Sequence, residues 1–187
     1  VIKRKSMLSY KESLKILKET DALIEGHFIL SSGLHSDKYI QCAKLLSKPQ
    51  KAKDLCQSLA EKINENFNDF NLVLSPAVGG IVIGYEIGRL LNVETIFAER
   101  VNKIFQLRRG FEIKKNHKIL IVEDVITTGK SSLECSVLAE KLGAEIIGFA
   151  SLIDRSNGKS KINKKIISQV QIEIPTFTEE NIPEKLK

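Results

Sequence analysis

The sequence predicts an α/β fold, a central parallel sheet flanked by helices with a small N-terminal hood. Three observations carry that expectation. From Asp69 onward, strand-like apolar runs alternate with amphipathic stretches, which is the rhythm of βαβ units whose strands pair in parallel. Ile119, Leu120, Ile121 and Val122 form an uninterrupted run rich in β-branched residues, the pattern of a strand buried on both faces. A chain of 187 residues with 42% hydrophobic content supplies one substantial core and is too short for two comfortable ones. We therefore expect a single domain over residues 1–187, with hood and N-terminal helices to about residue 70 and the core sheet over about residues 71–174.

Taken in order, Leu8, Leu14, Ile16, Leu17, Leu23 and Ile24 recur at roughly helical spacing, which predicts an amphipathic helix ending near Gly26. Residues 27–30 and 38–40 read as short strands around a turn at Ser32-Gly33. Pro49 suits the first turn of a helix running to about Phe67, with Leu55, Leu59 and Ile63 on one face. Then come a strand at residues 72–74, a helix at residues 80–91, strands at residues 95–98 and 119–122, a helix at residues 132–142 and a strand at residues 146–153. Gly143 is placed to end a helix, and Asn157-Gly158 to form a tight turn.

The formal charge of +6 favours an anionic partner. The basic residues form no block of five or six, so a polyanionic small molecule fits as well as nucleic acid. Cys42, Cys56 and Cys135 are odd in number and lack C-x-x-C spacing, which points to buried reduced thiols. His27, His35 and His117 show no metal-ligand spacing. The basic start, Val1-Ile2-Lys3-Arg4-Lys5, is followed by no apolar h-region, and no run approaches the roughly 18 residues that span a bilayer. A soluble, cytoplasmic protein is expected. The chain opens on Val1 with its one methionine at Met7, which leaves open a start at Met7 or an incomplete beginning.

Residues 119–131, ILIVEDVITTGKS, carry the most chemistry. Glu123 and Asp124 fall where the strand is expected to end, and ligands of open α/β sheets bind at that edge. Thr127, Thr128, Gly129 and Ser131 follow, with short hydroxyls and free amides entering a helix, a setting suited to phosphate. Ser131 also fits a capping box with Glu134, so its hydroxyl is divided between helix and ligand. Gly129-Lys130-Ser131 matches the tail of a Walker A loop, but the position five before Gly129 is Asp124, which would repel a triphosphate. Ser75-Pro76-Ala77-Val78-Gly79-Gly80 forms a second small-residue loop between a strand and a helix. Arg100, Lys103, Arg108 and Arg109 crowd the segment 100–110, read either as a mobile cationic loop or as a solvated hairpin pairing with surface acids. Arg155 ends a buried strand with a cation able to form a bidentate pair.

The order acid-acid-apolar-apolar-Thr-Thr-Gly after a buried strand resembles the phosphoribosyl pyrophosphate signature of the type I phosphoribosyltransferases. Residues 26–39, GHFILSSGLHSDKY, resemble the hood of orotate phosphoribosyltransferases, in which Phe28, Ser31, Ser32 and Tyr39 would face the pyrimidine. The resemblance runs from about Leu8 to Ile174. It implies the type I phosphoribosyltransferase fold and transfer of ribose 5-phosphate from phosphoribosyl pyrophosphate to orotate, giving orotidine 5-monophosphate and pyrophosphate in pyrimidine biosynthesis.

It further implies that Glu123, Asp124, Val125, Ile126, Thr127, Thr128, Gly129, Lys130 and Ser131 hold phosphoribosyl pyrophosphate, with Val78 and Gly79 at its pyrophosphate. Thr127, Arg155, Phe28, Ser32 and Tyr39 would hold orotate. Asp124, Arg100 and Lys103 would carry catalysis, Lys103 acting on the leaving group from the neighbouring subunit of a homodimer. Mg²⁺ would be held mainly by substrate, without direct protein ligation. This chain departs from the family pattern in having Ser31 and Gly79 where many members carry lysines. Its loop at residues 100–110 is shorter, without the histidine and glycine-rich tip, which shifts cationic duty to Arg100, Lys103 and Lys38. Left open are transfer to another base and a nucleic-acid-binding regulator that keeps the fold.

Overall fold

The computed structural model describes residues 7–30 and 32–186. The basic residues at the start of the chain and Ser31, a hood candidate, lie outside them. The first helix, α1 (Tyr10–Glu19), begins at a capping box: Ser9 Oγ accepts the Glu12 N–H, and the Glu12 carboxylate accepts the Ser9 N–H at 2.7 Å. It stops at Glu19 and not near Gly26, because Asp21 takes a left-handed conformation (φ 58°). Leu23 and Ile24, read as helical, instead open β1 (Leu23–Ile29). Ser9→Ala removes a cap of ordinary strength, so it should cost about 1 kcal/mol and lower Tm by about 2–4 °C in a thermal melt.

β1 pairs antiparallel with β2 (His35–Ile40), forming the expected hairpin around Ser32-Gly33, with β1 starting four residues and β2 three residues earlier than predicted. A short α2 (Cys42–Leu46) leads into α3 (Pro49–Asn66), which starts on Pro49 as predicted and buries Leu55, Leu59 and Ile63. The sheet then builds through β3 (Leu72–Pro76), α4 (Gly80–Leu91), β4 (Glu94–Val101), β5 (Ile104–Gln106), β6 (Lys118–Ile126), α5 (Lys130–Lys141), β7 (Glu145–Asp154) and β8 (Ile166–Gln171). A final β9 (Thr176–Phe177) returns to pair with β2, giving a three-stranded hood sheet.

The main sheet runs β5-β4-β3-β6-β7-β8, parallel throughout except that β5 joins β4 as an antiparallel edge. Strand alternation divides its core into two layers. Val73, Leu120, Val122, Ala150 and Leu152 face α3 and α4, with Leu59, Ile63, Ile83 and Ile87. Leu72, Leu74, Ile119, Ile121 and Phe149 face α5, with Cys135 and Ala139. α4 lies close on the sheet because Gly84 has no side chain: a Cβ there would stand 2.1 Å from Ser75 Oγ. All three cysteines are buried and free, as expected, and burial pushes the thiols of Cys56 and Cys135 up to about 12. Among the described residues no helix is long and apolar enough to cross a membrane.

Candidate active site

Strand order places the site. From β3 the chain crosses through α4 to β4 on one side, and from β6 it crosses through α5 to β7 on the other. The two strands are neighbours, so the crevice beyond their carboxyl ends is a topological switch point, where open α/β sheets bind ligands. β3 and β6 pair only as far as Leu74 and Ile121, and beyond that they part. On its other side β6 stays paired with β7 to Ile126 and Asp154. Glu123 and Asp124 therefore do not end the strand, as the sequence suggested; they lie within it, on a length that has lost β3 and opens onto the crevice.

Their side chains leave opposite faces. Glu123 follows Ile119 and Ile121 onto the α5 face, where the Ser132 hydroxyl donates to Oε2. Burial, joined by the neighbouring charge of Asp124, pushes its carboxyl up to about 7, against the opposing pull of the Ser132 hydroxyl and Arg100. Asp124 turns to the α4 and hood side. Its Oδ1 accepts the Val125 N–H at 2.9 Å, and burial raises its pKa against that hydrogen bond. Gly79 is what gives this carboxylate room, since a Cβ at Gly79 would meet Oδ2 at 2.8 Å and Oδ1 at 2.9 Å. The second small-residue loop and the acidic strand thus touch at Asp124, and Val78 beside them is 82% exposed.

Past Ile126 the chain turns through a short loop, residues 127–129, into α5 (Lys130–Lys141). Ile126 is buried, so only its backbone faces the loop, while Thr127 and Thr128 are exposed. Gly129 caps α5 with φ 77°, a conformation that favours glycine, and no side chain caps this helix. The predicted capping box at Ser131 does not form, because α5 begins two residues earlier than expected, at Lys130. Ser131 Oγ instead receives a long hydrogen bond from Arg100 (3.4 Å), whose guanidinium also pairs with Glu134 at 2.6 Å. Lys130 is exposed near Glu134.

The segment of residues 100–110 is a hairpin of the solvated kind. Asn102 and Lys103 form its turn, with φ of 50° and 68°, and Lys103 stands exposed at the tip. Arg100 stacks on Phe105 with its guanidinium 4.1 Å from the ring centroid, and Arg109 makes a two-pronged pair with Glu99 at 3.0 and 2.8 Å. Arg108 is exposed.

The hood and the helix α2 that follows it each reach the crevice. Cys42 Sγ lies 3.9 Å from the Asp124 carbonyl. Tyr39 sits close enough to Arg155 to influence its titration, and the Tyr39 and Phe28 rings lie 5.7 Å apart. Arg155 is half-buried, which lowers its pKa, and its Nε has no hydrogen-bond partner. Phe28, Tyr39 and Arg155 are thus brought together, Ser32 occupies the exposed turn and Lys38 is half-buried in β2. Reading the sequence missed Ser132, for which a hydroxyl in the first turn of the helix after an acidic strand was the available signal. It also missed Cys42, for which none existed.

Residues 44–187 match the phosphoribosyl transferase domain model. The chain is 45% identical over 169 residues to an orotate phosphoribosyltransferase of Carboxydothermus hydrogenoformans, covering 90% of this chain and 88% of that one. A relative of the same description from Parvibaculum lavamentivorans is 45% identical over 176 residues, covering 92% and 91%. Among solved structures, the orotate phosphoribosyltransferase of Aeropyrum pernix superposes with a TM-score of 0.74 at 22% identity, covering 84% of this chain and 92% of that one, a likeness of fold.

Proposed function

The chain belongs to the phosphoribosyl transferase domain family, among the orotate phosphoribosyltransferases, and from that premise we propose that it transfers ribose 5-phosphate from phosphoribosyl pyrophosphate to orotate. The products are orotidine 5-monophosphate and pyrophosphate, a step of UMP biosynthesis. The observation that carries the reading is the meeting of Asp124 and Gly79 at the switch point, which joins a ribose-binding acid to a pyrophosphate loop.

In this reading Thr127, Thr128, the Gly129 turn and the first amides of α5 hold the 5-phosphate, aided by the partial positive charge of the helix. Asp124 and Glu123 accept hydrogen bonds from the ribose hydroxyls, each from its own face of β6. Val78 and Gly79 present backbone to the pyrophosphate. Orotate lies against Phe28 and Tyr39, with its carboxylate toward Arg155, whose Nε is buried without a partner. The chemistry then rests on placing the anomeric carbon against the base and stabilising the departing pyrophosphate.

The described residues include no group of three or more His, Cys, Asp or Glu that could hold a metal alone. Two separated carboxylates fit Mg²⁺ held largely by substrate oxygens, the usual habit of this ion. Bound there, it would neutralise the pyrophosphate and rigidify the ribose. Arg100 is tied to Glu134 within its own chain, which leaves Lys103 at the hairpin tip for the leaving group of a neighbouring subunit. An apolar stripe of Val78, Val82 and Tyr85, at 82, 53 and 66% exposure, supports a homodimer through this side of α4. We assign the protein to the cytoplasm.

Mixing the folded protein with Mg²⁺, phosphoribosyl pyrophosphate and orotate should deplete orotate absorbance; no depletion would sink the proposal. A panel of other bases tests the choice of base. Arg155→Lys keeps the charge but loses the planar fork, so it should raise the KM for orotate about tenfold with little change for phosphoribosyl pyrophosphate.

A further inference from the structure

Beyond Arg155, the segment that follows β7 ends against the loop between β6 and α5. Asp154 is nearly buried and its Oδ1 accepts the Ser156 N–H at 2.7 Å. Asn157 and Gly158, with φ of 49° and 72°, turn the chain back, and the Asn157 amide is tied to Glu173 at 3.1 Å. The returning chain meets the loop at Thr128, whose carbonyl accepts the Lys161 N–H at 3.1 Å. At the segment's start, the Arg155 N–H donates to the Ile126 carbonyl at 2.8 Å. The last carbonyl of β6, at residue 126, and a carbonyl of the loop, at residue 128, are therefore held by one neighbouring segment.

Ile162 completes the arrangement. It is 9% exposed and packs in the core layer beneath α5. Its Cγ1 and Cδ1 would stand 2.8 and 2.9 Å from a Cβ at Gly129, with Ser160 Cβ at 3.6 Å. The isoleucine thus fills the space left by the glycine that turns the loop into α5. The tilt of the peptide planes at 128 and 129 decides where the first amides of α5 point, and those planes rest on Ile162 and the Lys161 N–H.

We propose that Ile162, together with the main-chain N–H of Lys161, is a positioning element for the loop that binds the 5-phosphate, and so sets affinity for phosphoribosyl pyrophosphate. The proposal rests on the phosphoribosyl transfer assigned above. Ile162 touches no reacting atom; it acts through Gly129 and Thr128.

Steady-state kinetics of Ile162→Ala and Ile162→Val test it. The alanine variant should raise the KM for phosphoribosyl pyrophosphate about tenfold while kcat and the orotate KM stay within about twofold, and the valine variant, which keeps most of the branch, should return to within about threefold of wild type. A merely structural role would lower the active fraction, hence kcat, and leave both KM values unchanged; that result overturns the proposal. If the alanine variant does not fold, hydrogen exchange of the wild type decides: the Lys161 amide should exchange more slowly with phosphoribosyl pyrophosphate bound, and an unchanged rate overturns it. No turnover by the wild type would remove the reaction and this proposal together. Wild-type turnover with unchanged KM in both variants removes this proposal alone.

Discussion

Asp124→Asn is expected to reduce kcat/KM for phosphoribosyl pyrophosphate by roughly five- to 150-fold, equivalent to the about 1–3 kcal/mol lost with a charged hydrogen bond in a screened site. The substitution preserves shape. An asparagine oxygen can still accept the Val125 N–H that now reaches Oδ1 at 2.9 Å, so the strand end is kept. Lost are the charge and one acceptor oxygen, replaced by a donor that faces the ribose hydroxyls donor to donor. Because burial already raises the pKa of this group, removing its charge relieves a desolvation cost in the free protein. Thermal stability should therefore hold or rise while binding falls, a combination that general damage to the fold does not produce. Kinetics and a melting curve on the same preparation check it; a wild-type rate would reduce Asp124 to a structural residue of β6.

Residue 124 also shows how far the sequence reaches. That a carboxylate stood near the end of a buried strand was legible, because Ile119, Leu120, Ile121 and Val122 are apolar without a break and both faces of the strand are covered. That the strand continues to Ile126 was not, because where β6 leaves β3 depends on the length of a partner strand 47 residues away. The division of Glu123 and Asp124 between two faces, by contrast, is dictated by the twofold alternation of any strand. Leu23 and Ile24 fitted a helical period, and the left-handed Asp21 that ends α1 has no strong sequence mark.

The S-x-x-E pattern at Ser131 was real, but Gly129 already caps α5 and places Ser131 inside the helix. β5, β8 and β9 are edge strands of short or mixed pattern with weak local signal, and β9 exists only through pairing with β2 about 140 positions away. The turns were legible where chemistry is local, as at Asn157-Gly158 and Gly143, both with positive φ at glycine. Ile162 against Gly129 spans 33 positions, and no local pattern announces it.

Affinity for phosphoribosyl pyrophosphate is expected to fall by about tenfold for each pH unit below about 7, because Glu123 must ionise to accept the ribose hydroxyls. Its carboxyl sits near 7 in the free protein, raised by burial and by the charge of Asp124 and partly restrained by the Ser132 hydroxyl and Arg100. In the unfolded chain the group titrates near 4.5, so the folded protein holds the proton more tightly.

Glu123 therefore costs nothing below about pH 4.5, and its contribution turns unfavourable as pH rises to 7, reaching about 3 kcal/mol above that point. A ligand that donates two hydroxyls favours the ionised form and lowers the pKa again. Binding below pH 7 then releases a proton, and affinity declines until the pKa of the complex is passed. Calorimetric titrations in buffers of different ionisation enthalpy should register that release. The ligand's own phosphates titrate in the same range, so the decisive comparison is with Glu123→Gln, whose affinity should be lower at pH 8 and should change less between pH 8 and 6. Parallel profiles for the two proteins would mean that Glu123 is not the titrating acceptor, and would leave Asp124 alone to hold the ribose.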